Sequence, residues 1–180
     1  MHFKSLVRKS SLLALACLFF TGCFSFKQHG ELGTANFVNI QQILGTYYVV
    51  GTMPTLLDRN PTDATFQFTQ QPNGTLSIAY SFRPKGPDSA FKTYTGRARI
   101  DEIQTNADWS IQFLWPFEND YRVIYANEDQ SILLIGHPTR NYLYMLSRSK
   151  VIDYETREWL LDFSASRGFD TSFFKLILQN

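Results

Sequence analysis

Apolar and polar residues alternate with a period of two through most of the chain after residue 38, the pattern of strands with one face buried. The first such stretch, Leu44-Gly45-Thr46-Tyr47-Tyr48-Val49-Val50-Gly51-Thr52-Met53, sets β-branched and aromatic residues between two glycines. It follows Asn39-Ile40-Gln41-Gln42-Ile43, one helical turn with Asn39 as its cap. Ala64, Phe66 and Phe68 then share a face, Pro72-Asn73-Gly74 turns the chain, and Leu76, Ile78, Tyr80 and Phe82 form the returning face. Asn73-Gly74-Thr75 also has the form of a glycosylation sequon, but the turn is the better reading.

Strands continue over residues 91–100, where Gly96 and Ala98 keep side-chain volume low, and over 107–115, stopped by Pro116. Further strands are expected over 121–127, 131–136 and 142–148. Eight strands with short connections read as an up-and-down meander that can close into a barrel and leave no sheet edge. Asp153 caps one helix, its stripe of Thr156, Trp159, Leu160 and Phe163 packs on the outside of the barrel, and Gly168 ends it. Residues 173–178 read as a short closing strand. The expected fold class is all-β: an eight-stranded up-and-down antiparallel β-barrel with one C-terminal α-helix outside.

The first 22 residues have a different character. Lys4, Arg8 and Lys9 precede an apolar run from Leu12 to Phe20 that is short for a bilayer span, as in a secretory leader. Phe20-Thr21-Gly22-Cys23 resembles a bacterial lipobox, in which cleavage before the cysteine leaves Cys23 to carry the lipid. A plain signal peptide that happens to end in cysteine is the alternative. Three acyl chains would anchor firmly, each buried CH₂ contributing roughly 0.8 kcal/mol. Phe24-Ser25, with no Asp after the cysteine, implies the outer membrane by the sorting rule of bacterial lipoproteins. The division expected is residues 1–22 leader, 23–37 lipidated cysteine and tether, and 38–180 barrel, facing the periplasm.

Loss of the leader removes three of the 17 basic residues and none of the 16 acidic ones, so the body is weakly acidic, which argues against a nucleic-acid partner. It also removes Cys17, one of two cysteines, leaving no internal disulfide and nothing on which to build a thiolate metal site. Neither a metal nor another cofactor is expected.

The order of elements resembles the lipocalins, in their bacterial outer-membrane lipoprotein branch. Gly45-Thr46-Tyr47 resembles the family's first block, usually Gly-x-Trp, and Asn141–Arg148 its third block with the terminal arginine. Arg167-Gly168-Phe169-Asp170 matches the helix exit of that branch. The resemblance runs from about Val38 to Gln179. Two departures stand out: Tyr47 replaces the tryptophan, and residues 121–127 lack the Thr-Asp-Tyr-like second block. In the family the arginine lies over the tryptophan and closes the barrel floor, so Gly45, Tyr47 and Arg148 are expected to be structural.

A barrel of eight strands is either packed inside or just roomy enough for one small ligand. With Tyr47 inward, alternation sends Val49, Gly51 and Met53 inward too. The family's register adds Tyr94, Phe113, Trp115, Tyr121, Val123, Tyr142 and Tyr144 as wall candidates. Tyrosines offer apolar faces with a hydroxyl handle, which suits an amphiphile such as a fatty acid or lysophospholipid. Arg83, Lys85 and Arg140 are candidates for head-group contacts at the mouth. The expectation is therefore a non-enzymatic lipid carrier tethered at the membrane; the alternative is an envelope protein with a filled barrel whose outer face docks a partner. A homodimer is compatible with either. An esterase reading is weak, because His29 and His137 lie far apart and no Gly-x-Ser-x-Gly elbow is present.

Overall fold

The computed structural model describes residues 30–54 and 60–180. The leader, Cys23 and His29 lie outside the described residues. Eight antiparallel strands follow in chain order: β1 Gly45–Thr52, β2 Thr62–Gln70, β3 Leu76–Arg83, β4 Lys92–Ile100, β5 Asp108–Leu114, β6 Phe117–Ala126, β7 Ile132–Gly136 and β8 Leu143–Ser147. Each pairs with the next, and β1 pairs with both β2 and β8, so the sheet closes. The expected barrel is borne out. Its sixth strand starts earlier than the alternation suggested, because β5 and β6 form a hairpin across the Trp115-Pro116 peptide, with Leu114 opposite Phe117.

One end is sealed. Helix α1 (Ile40–Ile43) lies across it, its first turn capped by the Asn39 side chain, which accepts from the Gln41 and Gln42 N–H groups. At the same end Gly74 (φ +81°) takes the left-handed conformation that the turn into β3 requires. The opposite end carries the connections β3–β4, β5–β6 and β7–β8.

Two packing layers divide the apolar residues. Inside are Phe66, Phe68, Tyr80, Phe82, Trp109 and Tyr144 with aliphatic neighbours. Outside β1, β6, β7 and β8 lies a second layer around Val50, Ile124, Leu134, Met145 and Leu160, covered by helix α2 (Tyr154–Ser166). Asp153 caps α2 by accepting from the Thr156 N–H at 2.8 Å, and Gly168 (φ +91°) follows its end. Of the expected helix stripe, Leu160 is fully buried, whereas Trp159 is half exposed and stacks on Phe163 and against Tyr125.

The closing strand is shorter than the sequence suggested and does more. After a 3₁₀ turn (Thr171–Phe173), β9 (Lys175–Leu176) pairs with Gly51 and Thr52. Strand β1 leaves β2 after Tyr48, and residues 175–180 fill the seam that opens between them. The Ile177 N–H donates to the Val50 carbonyl and the Asp63 N–H to Leu178. The Gln179 amide donates to Val49 at 2.8 Å and to Ala64 at 3.1 Å, one from each strand. This seam satisfies backbone groups that would otherwise be left bare at a buried edge.

Residues 30–37, expected within a tether, are docked. The Ala35 N–H donates to the Val123 carbonyl and the Val38 N–H to Thr105, while Leu32 is buried in the outer layer and Arg122 donates to its carbonyl. The alternating pattern begins only at β1, so it gave no sign that this irregular segment is held by hydrogen bonds to β6.

Candidate functional site

The sealed floor is built on Tyr47 and Arg148. Gly45 (φ +95°) starts β1 in a conformation that favours glycine, and a Cβ there would press to 3.3 Å of Arg148 Nη1. The Arg148 guanidinium lies 3.8 Å from the Tyr47 ring centroid and donates to the carbonyls of Thr46, Gln42 and Leu44. Burial raises the Tyr47 phenol above its ordinary pKa, against the opposing pull of Arg148. Its hydroxyl donates to the Gln130 carbonyl, a bond that a tryptophan could not make in the same way.

Above the floor the lumen is filled by rings. Phe66 stacks on Tyr80 at 4.7 Å and meets Tyr144 edge-on at 5.2 Å, and Phe68 meets Trp109 edge-on at 5.8 Å. What remains is a cavity of about 10 Å³ among Phe66, Phe68, Trp109, Phe113, Tyr121, Tyr144 and three isoleucines, 78, 111 and 135. That is room for about one water, in a lining with little to bond it. A larger open groove, about 800 Å³, runs over the outer face of β3, β4 and β5. It lies on the wrong side of the sheet to be a barrel site.

Seven of the ten wall candidates lie in the interior, at its edge or at its rim. Phe113, Tyr121 and Tyr144 meet around the internal cavity, and Val49 and Val123 are fully buried in the same core. Tyr94 lies at the edge of that core, stacked on Phe82 at 6.1 Å, with Lys92 Nζ 4.7 Å from its ring. Tyr142 stands at the rim, edge-on to His137, which in turn meets Tyr121 edge-on.

Gly51, Met53 and Trp115 need correction. Between Val49 and Gly51 the pairing with β8 shifts by one residue, so Val49 faces Leu146 of the interior whereas Gly51 faces Met145 of the outer layer. An extra residue in a strand reverses the phase of every later side chain. Gly51 is therefore an external socket: a Cβ there would lie 2.4 Å from the Phe174 ring. Met53 is buried in the outer layer. A matching shift between Val123 and Tyr125 turns Ile124 and Tyr125 outward under α2. Trp115 sits at the β5–β6 hairpin tip, 81% exposed.

The interior residues not named as site candidates include Phe66, Phe68, Ile78, Tyr80, Phe82, Trp109, Ile111 and Ile135. Those of β2 and β3 lie on the alternating faces already visible in the sequence; extending that alternation strand by strand would have found them.

At the open end two of the three expected head-group cations are engaged. Arg83 pairs with Asp63 at 3.2 Å and lies over the Phe91 ring, and Arg140 donates to the carbonyls of Gly30, Pro138 and Arg167. Lys85 is exposed, and exposed Lys92 over Tyr94 is a cation the sequence reading passed over. Burial lowers the His137 pKa, against a nearby Asp120 charge, and its Nδ1 accepts from the Thr139 N–H at 3.2 Å, as a neutral imidazole does.

Known proteins share this architecture. Residues 38–179 match the model of the lipocalin-like domain family. Temperature-induced lipocalin-1 of Arabidopsis thaliana is 26% identical over 148 residues, 79% of this chain and 80% of that protein. The outer membrane lipoprotein Blc of Escherichia coli is 25% identical over 167 residues, 92% of this chain and 93% of that protein. In fold, the chain matches insecticyanin from the tobacco hornworm Manduca sexta with a TM-score of 0.64 at 17% identity, over 83% of this chain and 85% of that one. A barrel closed at one end, a floor of Gly45, Tyr47 and Arg148, and a family match over nearly the whole described body agree: the chain belongs to the lipocalin-like family.

Proposed function

We propose that the protein is a membrane-anchored carrier of a single-chain amphiphile such as a fatty acid or lysophospholipid. The observation that carries this reading is the lipocalin-like family match over residues 38–179, on a barrel sealed at one end and lined inside by apolar rings. These rings fill the lumen, and rings can rotate where a backbone cannot. A tail would enter by displacing them, and its polar head would stay at the rim near Lys92, Tyr94 and His137. Cys23 would hold the carrier at the outer membrane of a bacterial cell, with the body in the periplasm. The lipoprotein relative's name supports that placement. No catalysis belongs to this reading: His137 is held by Thr139 and flanked by two tyrosines.

A second reading is favoured by one observation, the cavity of only about 10 Å³. A barrel packed this fully would serve as a rigid body whose outer face docks a partner. Native mass spectrometry of the membrane-extracted chain, delipidated and then offered a mixed lipid extract, separates the two. A one-to-one lipid adduct supports the carrier, and an unliganded barrel across the whole extract supports the packed module.

A further inference from the structure

The tip of the β5–β6 hairpin exposes three large apolar side chains in four positions. Leu114, Trp115 and Phe117 are 69%, 81% and 66% exposed, with Pro116 between them. A hairpin tip needs none of this for its own fold, since turns are served by small and polar residues. Phe91 of the β3–β4 connection and Phe173 of the 3₁₀ turn are also more than half exposed. Lys85 and Lys92 stand exposed on the same end of the barrel.

A second observation concerns the path of the chain. Val38 is bonded to Thr105 at the sealed end, whereas the Gly30 carbonyl accepts from Arg140 Nη2 at 2.7 Å in the β7–β8 connection, at the open end. Residues 30–38 thus run along β6 from the open end to the sealed one, and whatever precedes Gly30 departs from the open end. Cys23 is seven residues away, and seven residues reach at most about 25 Å. A strand of eight residues such as β1 is itself about 26 Å long, so that length is used up by a return along the barrel if the sealed end faces the membrane, and is ample if the open end does.

We infer that the open end docks on a phospholipid bilayer, with Leu114, Trp115 and Phe117 seated among the head groups and the barrel mouth turned to the lipid. The hairpin tip borders the β7–β8 connection around the rim, so the exit of the chain and the apolar tip lie on the same side of the mouth. Tryptophan suits the interface because its ring is apolar and its N–H can stay hydrated. The lysines would meet lipid phosphates. The orientation rests on the proposed anchor at Cys23, while the apolar tip stands without it.

The test uses the mature chain extracted from membranes and reconstituted into phosphatidylethanolamine–phosphatidylglycerol vesicles, some of whose lipids carry bromine on the acyl chain near the carbonyl. Tryptophan emission of the wild type and of Trp115→Phe is compared in protein that floats with the vesicles. Docking predicts that bromolipid quenches the wild type about twofold more than the variant, whose remaining Trp109 and Trp159 serve as the internal reference. Equal quenching with full flotation overturns the docking surface and leaves the anchor intact. Loss of flotation overturns both. A dimer in which Trp115 is already shielded from aqueous iodide overturns the proposal in favour of a second copy over the tip.

Discussion

Arg148 and Tyr47 form a two-sided closure: the guanidinium covers the ring at 3.8 Å while its N–H groups hold the carbonyls of Gln42, Leu44 and Thr46. One cation thus ties the plug helix α1, the start of β1 and the end of β8 together. A planar fork does this where an ammonium could not reach all three carbonyls.

Arg148→Ala is therefore expected to cost about 2–3 kcal/mol, the range for losing hydrogen bonds to a charged group, read from urea unfolding. Tyr47→Phe keeps the ring but leaves the Gln130 carbonyl unpartnered, at about 1 kcal/mol. Tyr47→Trp, although it restores the residue usual in the lipocalin block, is expected to destabilise by about 1–3 kcal/mol through overpacking.

Tyr144→Ala removes a ring that both Phe66 and Tyr80 contact edge-on. A loss of about 3–5 kcal/mol is expected, together with a several-fold gain in binding of an apolar fluorescent probe. Unchanged probe binding in a folded variant would mean that the lumen walls collapse on the deletion.

Gly51→Leu is expected to act outside the barrel. The new side chain displaces Phe174, lowering stability by about 1–3 kcal/mol, and leaves lipid binding in the lumen unaltered in the folded fraction. Calorimetry and a binding isotherm on the same sample distinguish this from a wall position, which would reduce binding.

The seam has a pH dependence of known sign. Partial burial works to raise the Asp63 pKa, but hydrogen bonds from Asn180 and the charge of Arg83 outweigh it and hold the carboxyl below its ordinary value. A depressed folded pKa contributes stability that is present above about pH 4, the unfolded value, and is lost as pH falls through the folded one. Acid unfolding monitored below pH 4 is thus expected to show a smaller loss in Asp63→Asn than in the wild type. A loss of the same size would remove Asp63 from the seam's pH dependence.

These expectations show what the chain made legible. Alternation over residues 64–68 and 76–82 was enough to place β2 and β3 and the inward faces of both, because side-chain period and buried face coincide there. In β1 and β6 the same rule fails halfway along. The bulges at Val50 and Ile124 are set by pairing with β8 and β7, and no residue type marks them. Alternation alone put Gly51 on the inner face, whereas the side it takes depends on that register. The seam filled by residues 175–180 was likewise hidden, since its bonds run to β1 and β2, far back in the chain.

That seam also sets an order of events. Gly51 waits for Leu176, and Val49 and Ala64 wait for Gln179. Contacts across such long sequence separations are slow to form, because the intervening loop must close first. A chain that emerges amino end first from a ribosome or a translocation pore presents β1 early but cannot finish its enclosure until the stretch around residue 180 arrives. The seam therefore makes β1, the first strand to be synthesised, the last to acquire its full set of partners.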